Sequence, residues 1–147
     1  MGTIDAIKRN FFDSEKVQKA VDSAMRRKLS KFGAFVRTRS RSSIRKRKAT
    51  SKPGQPPTSR TGLLKKFIFF SYDEATKTVV IGPAAFRANT VAPELLEKGG
   101  TALVSPRITR KWQPPRLAKY AARPYMQPAF AAELPAFLAT LKDSVKG

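Results

Sequence analysis

Lys52-Pro-Gly-Gln-Pro-Pro-Thr-Ser-Arg-Thr-Gly62, continuing as Leu63-Leu-Lys-Lys-Phe-Ile-Phe-Phe-Ser71, divides the chain into two kinds of pattern. Three prolines and two glycines fall within the first eleven of these residues. Proline has no N–H to give and a fixed φ, so neither a helix nor a central strand crosses here. Upstream the apolar residues recur with a helical period; downstream they run together as in a strand. The stretch is therefore the hinge between a long basic helix and a sheet.

Upstream, Val17, Val21, Met25, Leu29, Phe32 and Val36 follow steps of four, four, four, three and four. That spacing predicts one apolar stripe on an amphipathic helix. Asp13-Ser14-Glu15 supplies N-cap chemistry and negative charge at its start. Residues 1–14, with Ile7, Phe11 and Phe12, keep no sustained period and read as an N-terminal arm. After Val36 the stripe fades, Ile44 being the only strongly apolar residue before Pro53. The helix is expected to end between residues 37 and 48. Residues 37–62 then form a basic, Pro/Gly-rich loop, with Arg37 to Lys52 as a fraying or mobile stretch.

Downstream, Leu63 to Ser71 reads as a strand, Tyr72 to Thr76 as a turn, and Lys77 to Ile81 as a second strand ended by Gly82-Pro83. Phe67, Ile68, Phe69 and Phe70 are too apolar for a strand with one wet face, so a neighbouring subunit is expected to cover Phe67, Phe69 and Phe70. Val91 to Lys98 predicts a short helix capped by Thr90 and stopped by Gly99-Gly100. Thr101 to Val104 is a third strand. Residues 105–120, rich in Pro, Arg and Lys around Trp112, read as a long basic loop. A last helix carries Pro128 in its first turn and a stripe of Leu134, Phe137, Leu138, Leu141 and Val145, with a kink or restart at Pro135. Arg123-Pro124-Tyr125 sets its approach, Tyr125 as a packing anchor and Arg123 either paired with an acid such as Glu97 or exposed. The expected fold is one α+β domain over 1–147: a small antiparallel sheet packed by a long N-terminal and a C-terminal helix.

The net charge of +20 implies a polyanionic partner, an acidic protein partner, or both. The excess is local: no acidic residue lies between Asp22 and Asp73. The contact candidates are Arg37, Arg39, Arg41, Arg45, Lys46, Arg47 and Lys48. They fit either sequence-independent phosphate contact or docking on an acidic rim. Cysteine and histidine are absent, which removes disulfides, thiolate chemistry and histidine bases. Glu94 and Glu97 share a helix face, but pairing with Lys98 or a nearby arginine outweighs cation binding. Gly54-Gln-Pro-Pro lacks the Gly-Lys-Ser/Thr ending of a phosphate loop. No catalysis, cofactor or metal is expected. With no apolar leader and no spanning segment, a soluble intracellular protein without membrane contact is expected.

Three passages together resemble the neck, or tail-completion, proteins that join heads to tails in lambda-like long-tailed bacteriophages. Gly54-Gln-Pro-Pro-Thr-Ser-Arg-Thr-Gly-Leu-Leu64 is similar to the passage after that family's first helix, matching at Gly54, Pro57, Gly62 and Leu64. Leu95-Leu-Glu-Lys-Gly-Gly-Thr101 is similar to its Leu-Glu-aromatic-Gly-Thr stretch through Glu97 and Gly99, with Lys98 in place of the aromatic residue. Ala122-Arg-Pro-Tyr-Met-Gln-Pro-Ala-Phe130 is similar to the lead into its C-terminal helix through Arg123, Pro124 and Pro128. Order and rough spacing agree over residues 17–145, although loop 105–120 is longer than the family's link. The resemblance implies a virion structural protein, assembled in the host cytoplasm. Copies of the chain would form a ring between connector and tail proteins through which double-stranded DNA passes. A protein rim is then slightly favoured as the target of the basic interval, because DNA must slide. A tail terminator is the alternative within this class, and a small basic nucleic-acid-binding protein acting alone is the alternative outside it.

Overall fold

Helix α1 spans Ser14–Ser43, with Glu15 in its first turn and Arg41 in its last, each charge opposing the helix dipole favourably. The computed structural model describes residues 14–84, 91–104 and 114–145. The N-terminal arm, Thr90 and Trp112 lie outside the described residues. The chain continues through α2 (Leu63–Lys66), β1 (Ile68–Asp73), β2 (Thr78–Pro83), α3 (Ala92–Lys98), β3 (Gly100–Val104), β4 (Arg116–Tyr120) and α4 (Met126–Val145). The fold is α+β, with two separate two-stranded antiparallel sheets, β1–β2 and β3–β4.

Four elements differ from the sequence reading. Leu63–Lys66 is a helical turn rather than the start of a strand: Gly62 sits at φ 76, and Lys66 and Phe67 donate N–H bonds to the carbonyls of Gly62 and Leu63. Such a left-handed φ is open to glycine at little cost. Helix α1 ends at Ser43, inside the expected range of 37–48, so residues 37–43 belong to it rather than to the loop. Arg116–Tyr120 is a strand paired with β3, Leu103 opposite Leu117 and Ala102 opposite Ala118. Helix α4 runs through Pro135 as one element, which rules out the restart but not the kink of the sequence reading.

The core is two small clusters joined by Met126. Phe32, Val36 and Ala129 form one, with Val79, Ile81, Leu134 and Phe137 packed around them. Ile44, Leu64, Ile68 and Tyr125 form the other, beside Leu96. Phe32 fixes the α1–α4 crossing, its ring 4.6 Å from that of Phe137 and edge-on to Phe130 at 5.5 Å. The β1–β2 hairpin lies on α1 at Gly33. A Cβ there would fall 2.8 Å from both Phe70 Cδ2 and Val79 Cγ2. Gly33→Ala is therefore expected to lower stability by up to about 2 kcal/mol, overpacking of about 1–3 kcal/mol outweighing the gain of about 1 kcal/mol in helix propensity. A urea midpoint that stays put or rises would show that the hairpin shifts freely.

The hairpin turn is locally specified. Asp73 Oδ1 accepts the N–H groups of Ala75 and Thr76, and the Thr76 side chain, followed by these backbone bonds, holds its carboxyl below the usual range. Lys77 closes the turn at φ 52 and reaches back to Asp22 on α1 at 2.8 Å.

Candidate functional site

The three motif passages, far apart in sequence, meet at one node. Gly54 N–H donates to the Ala122 carbonyl at 2.8 Å, and Arg123 Nε donates to the Ser51 carbonyl at 3.0 Å. Arg123 N–H bonds the Leu96 carbonyl, tying the third passage to α3. Arg123 thus holds backbone oxygens; it neither pairs with Glu97 nor points free.

Glu97 has a different task. Its Oε2 accepts the N–H groups of Tyr125 (2.9 Å) and Met126 (3.0 Å), and its Oε1 accepts that of Gln127 (2.8 Å). The next residue, Pro128, has no N–H. One carboxylate from α3 and one proline therefore account for every donor that the first turn of α4 would otherwise leave unpaired. The negative charge also sits at the positive end of the helix dipole. Glu94 turns away and pairs with Lys98 at 3.0 Å, so the two carboxylates of α3 do not converge on a cation.

Tyr125 is the anchor beneath this node, 1% exposed among Ile44, Leu64 and Ile68. Its hydroxyl is buried without a partner among the described residues. Burial, followed by the nearby Glu97 charge, pushes its pKa up to about 12. Gly99 allows the close approach: at φ 73, a Cβ there would lie 2.9 Å from the Ala122 nitrogen and 3.0 Å from the Tyr120 carbonyl oxygen. Pro57 is fully buried and Leu64 nearly so.

The basic interval is not one unit. Arg37 donates from Nε to the Ile68 carbonyl at 2.9 Å and lies over the Phe69 ring, while Arg39 pairs with Glu133. These two arginines tie α1 to β1 and to α4. Arg41 is half-buried on the last turn. Arg45, Lys46, Arg47 and Lys48 are exposed, yet the loop that carries them is held in place rather than frayed. Ile44 is buried; Ser59 N–H bonds the Arg45 carbonyl, Thr58 Oγ1 the Ala49 carbonyl, and Gln55 N–H the Lys52 carbonyl.

Of the four consecutive apolar residues, Ile68 is core, Phe70 packs over Gly33, Phe67 is half-buried, and Phe69 is half exposed. Larger apolar surface appears where the sequence reading placed core or loop. Val17 and Val21 are 54% and 53% exposed on the N-terminal half of the α1 stripe. The cross-strand pair Leu103 and Leu117 is 64% and 76% exposed on the β3–β4 ribbon, which has α3 as its main neighbour. A two-stranded ribbon is marginal by itself and needs something packed on it. Periodicity finds such a face but not what covers it.

No described helix is long and apolar enough to cross a membrane. No protein-family model matches the chain, and neither a curated protein nor a solved structure is significantly similar to it.

Proposed function

We propose that the chain is a virion structural protein that assembles as a homo-oligomeric ring at the head–tail junction of a long-tailed bacteriophage, joining connector to tail and letting DNA pass. The observation that carries this reading is the node at Glu97 and Tyr125. The first and the second of the passages similar to the neck family each hydrogen-bond to the third, so residues far apart in sequence are joined in one place, which supports the reading. The exposed apolar sites support the ring. Val17, Val21, Phe69, Leu103 and Leu117 lie on different elements, so head-to-tail contacts between unlike faces would cover them, and such contacts form a ring where the rotation between copies closes. A charge of +20 per copy opposes self-association, so an acidic connector or tail surface would favour the ring by neutralising it.

The reading is tested by introducing charge at the interface. Phe69→Asp and Leu117→Asp are each expected to leave heads and tails unjoined in cells making the phage. The thermal midpoint of the isolated protein should stay close to that of the parent in Leu117→Asp, whose side chain faces solvent, and fall modestly in Phe69→Asp, whose half-exposed ring also lies against Phe67 and Arg37. Normal yields of infectious particles from both variants would place the subunit contacts elsewhere.

A further inference from the structure

We propose that the cleft between the end of α1 and the 45–58 loop holds the phosphodiester backbone of duplex DNA without reading its bases. The cleft encloses about 570 Å³, and no carboxylate is among the described residues that line it. Three of its hydroxyls have already given their hydrogens: Ser42 Oγ to the Arg39 carbonyl, Ser43 Oγ to the Ser40 carbonyl, and Thr58 Oγ1 to the Ala49 carbonyl. What remains to donate are the side chains of Arg45, Arg47, Lys52, Thr50, Gln55 and Ser51, the last with its hydroxyl buried and without a partner among the described residues. The described ion pairs all lie elsewhere, at Arg26, Arg39, Lys77 and Lys98.

Cations mixed with neutral hydroxyl and amide donors are the set that phosphate and sugar oxygens attract. An acidic protein rim fits less well. Protein interfaces centre on apolar residues and thin out charge there, whereas the apolar side chains lining this cleft are Ala49 and Pro56. The lining holds no aromatic ring on which an unpaired base would stack, which favours duplex over single-stranded DNA. The bonds Ser59 N–H to the Arg45 carbonyl, Gln55 N–H to the Lys52 carbonyl, Gly54 N–H to the Ala122 carbonyl and Arg123 Nε to the Ser51 carbonyl preform the loop. Little conformational freedom is then lost on binding. The inference stands apart from the ring, since one copy holds the whole cleft.

Fluorescence anisotropy of the full chain with two labelled duplexes of unrelated sequence, taken across a salt series, tests it. Both duplexes should bind equally, with log affinity falling linearly against log salt. Arg45→Gln, Arg47→Gln and Lys52→Gln together should flatten that slope by about 2–3, roughly one for each lost phosphate contact. Lys52→Gln alone, a change at an exposed ammonium group, should flatten it by about one. A control with equal charge loss, Arg27→Gln with Lys65→Gln and Lys66→Gln, should flatten it less than half as much as the cleft triple. Equal flattening by the control would overturn the site in favour of diffuse charge, and an unchanged slope in Lys52→Gln would overturn it directly. Poly-glutamate competing as well as duplex at equal charge would overturn phosphate in favour of an acidic protein.

Discussion

Tyr125→Ala is expected to lower the stability of the folded chain by about 3 kcal/mol or more, as truncation of a fully buried aromatic side chain does. The ring fills the cluster of Ile44, Leu64 and Ile68, which joins the segment just after α1 to α2, β1 and the start of α4. Loss of the ring therefore opens a cavity where four segments meet. Tyr125→Phe separates the ring from its hydroxyl. That hydroxyl is buried without a partner among the described residues, so the phenylalanine variant is expected to match the parent or exceed it by about 1 kcal/mol. The same phenol gives an alkaline signature. Its folded pKa of about 12 exceeds the ordinary 10.0, so the folded state retains a proton that the unfolded chain releases. Below about pH 10 the phenol is neutral in both states and stability does not depend on it; between about pH 10 and 12 stability falls by up to about 2–3 kcal/mol, because the buried ring resists the ionisation that the unfolded chain undergoes. Urea titrations through that window should show the decline in the parent and a weaker one in Tyr125→Phe. A Tyr125→Ala loss below half the expected value would mean the ring is not enclosed in solution.

Glu97→Ala is expected to cost about 2–4 kcal/mol. It removes the acceptor of three N–H groups at the start of α4, and charge-assisted bonds of this kind contribute about 1.5–3 kcal/mol each when enclosed. Water replaces part of that here, because Glu97 is only half-buried and Gln127 is exposed. Glu97→Gln keeps an acceptor oxygen but loses the charge at the helix dipole, and should fall about midway. Helical circular dichroism during urea unfolding measures both. A loss under 1 kcal/mol for Glu97→Ala would show that solvent caps α4 unaided.

How much of this was legible in the sequence depends on how local each cause is. The stripe from Val17 to Val36 and the glycine stop at Gly99 are local, and both elements appear where the pattern puts them. Ile44 shows the opposite case. A single apolar residue within a dense run of arginine and lysine carries no period, yet it is a fully buried anchor, and the loop beyond it is ordered by bonds between residues a dozen or so apart. Strand β4, Arg116–Tyr120, is too basic to read as a strand until its register against β3 is known. Leu63–Lys66 has strand-like composition, but Gly62 at a left-handed φ starts a helical turn there. The task of Glu97 is the least local of all. Its motif position was legible, but the three donors it serves lie on another helix.

The location of the chain in an assembled particle bears most directly on its proposed role. Electron microscopy of purified virions with gold-conjugated antibodies against the chain should place label at the head–tail junction, and averaged images should show several copies arranged as a ring. Label along released DNA, or virions free of the chain, would contradict a structural role at the neck and favour a basic protein acting alone on nucleic acid.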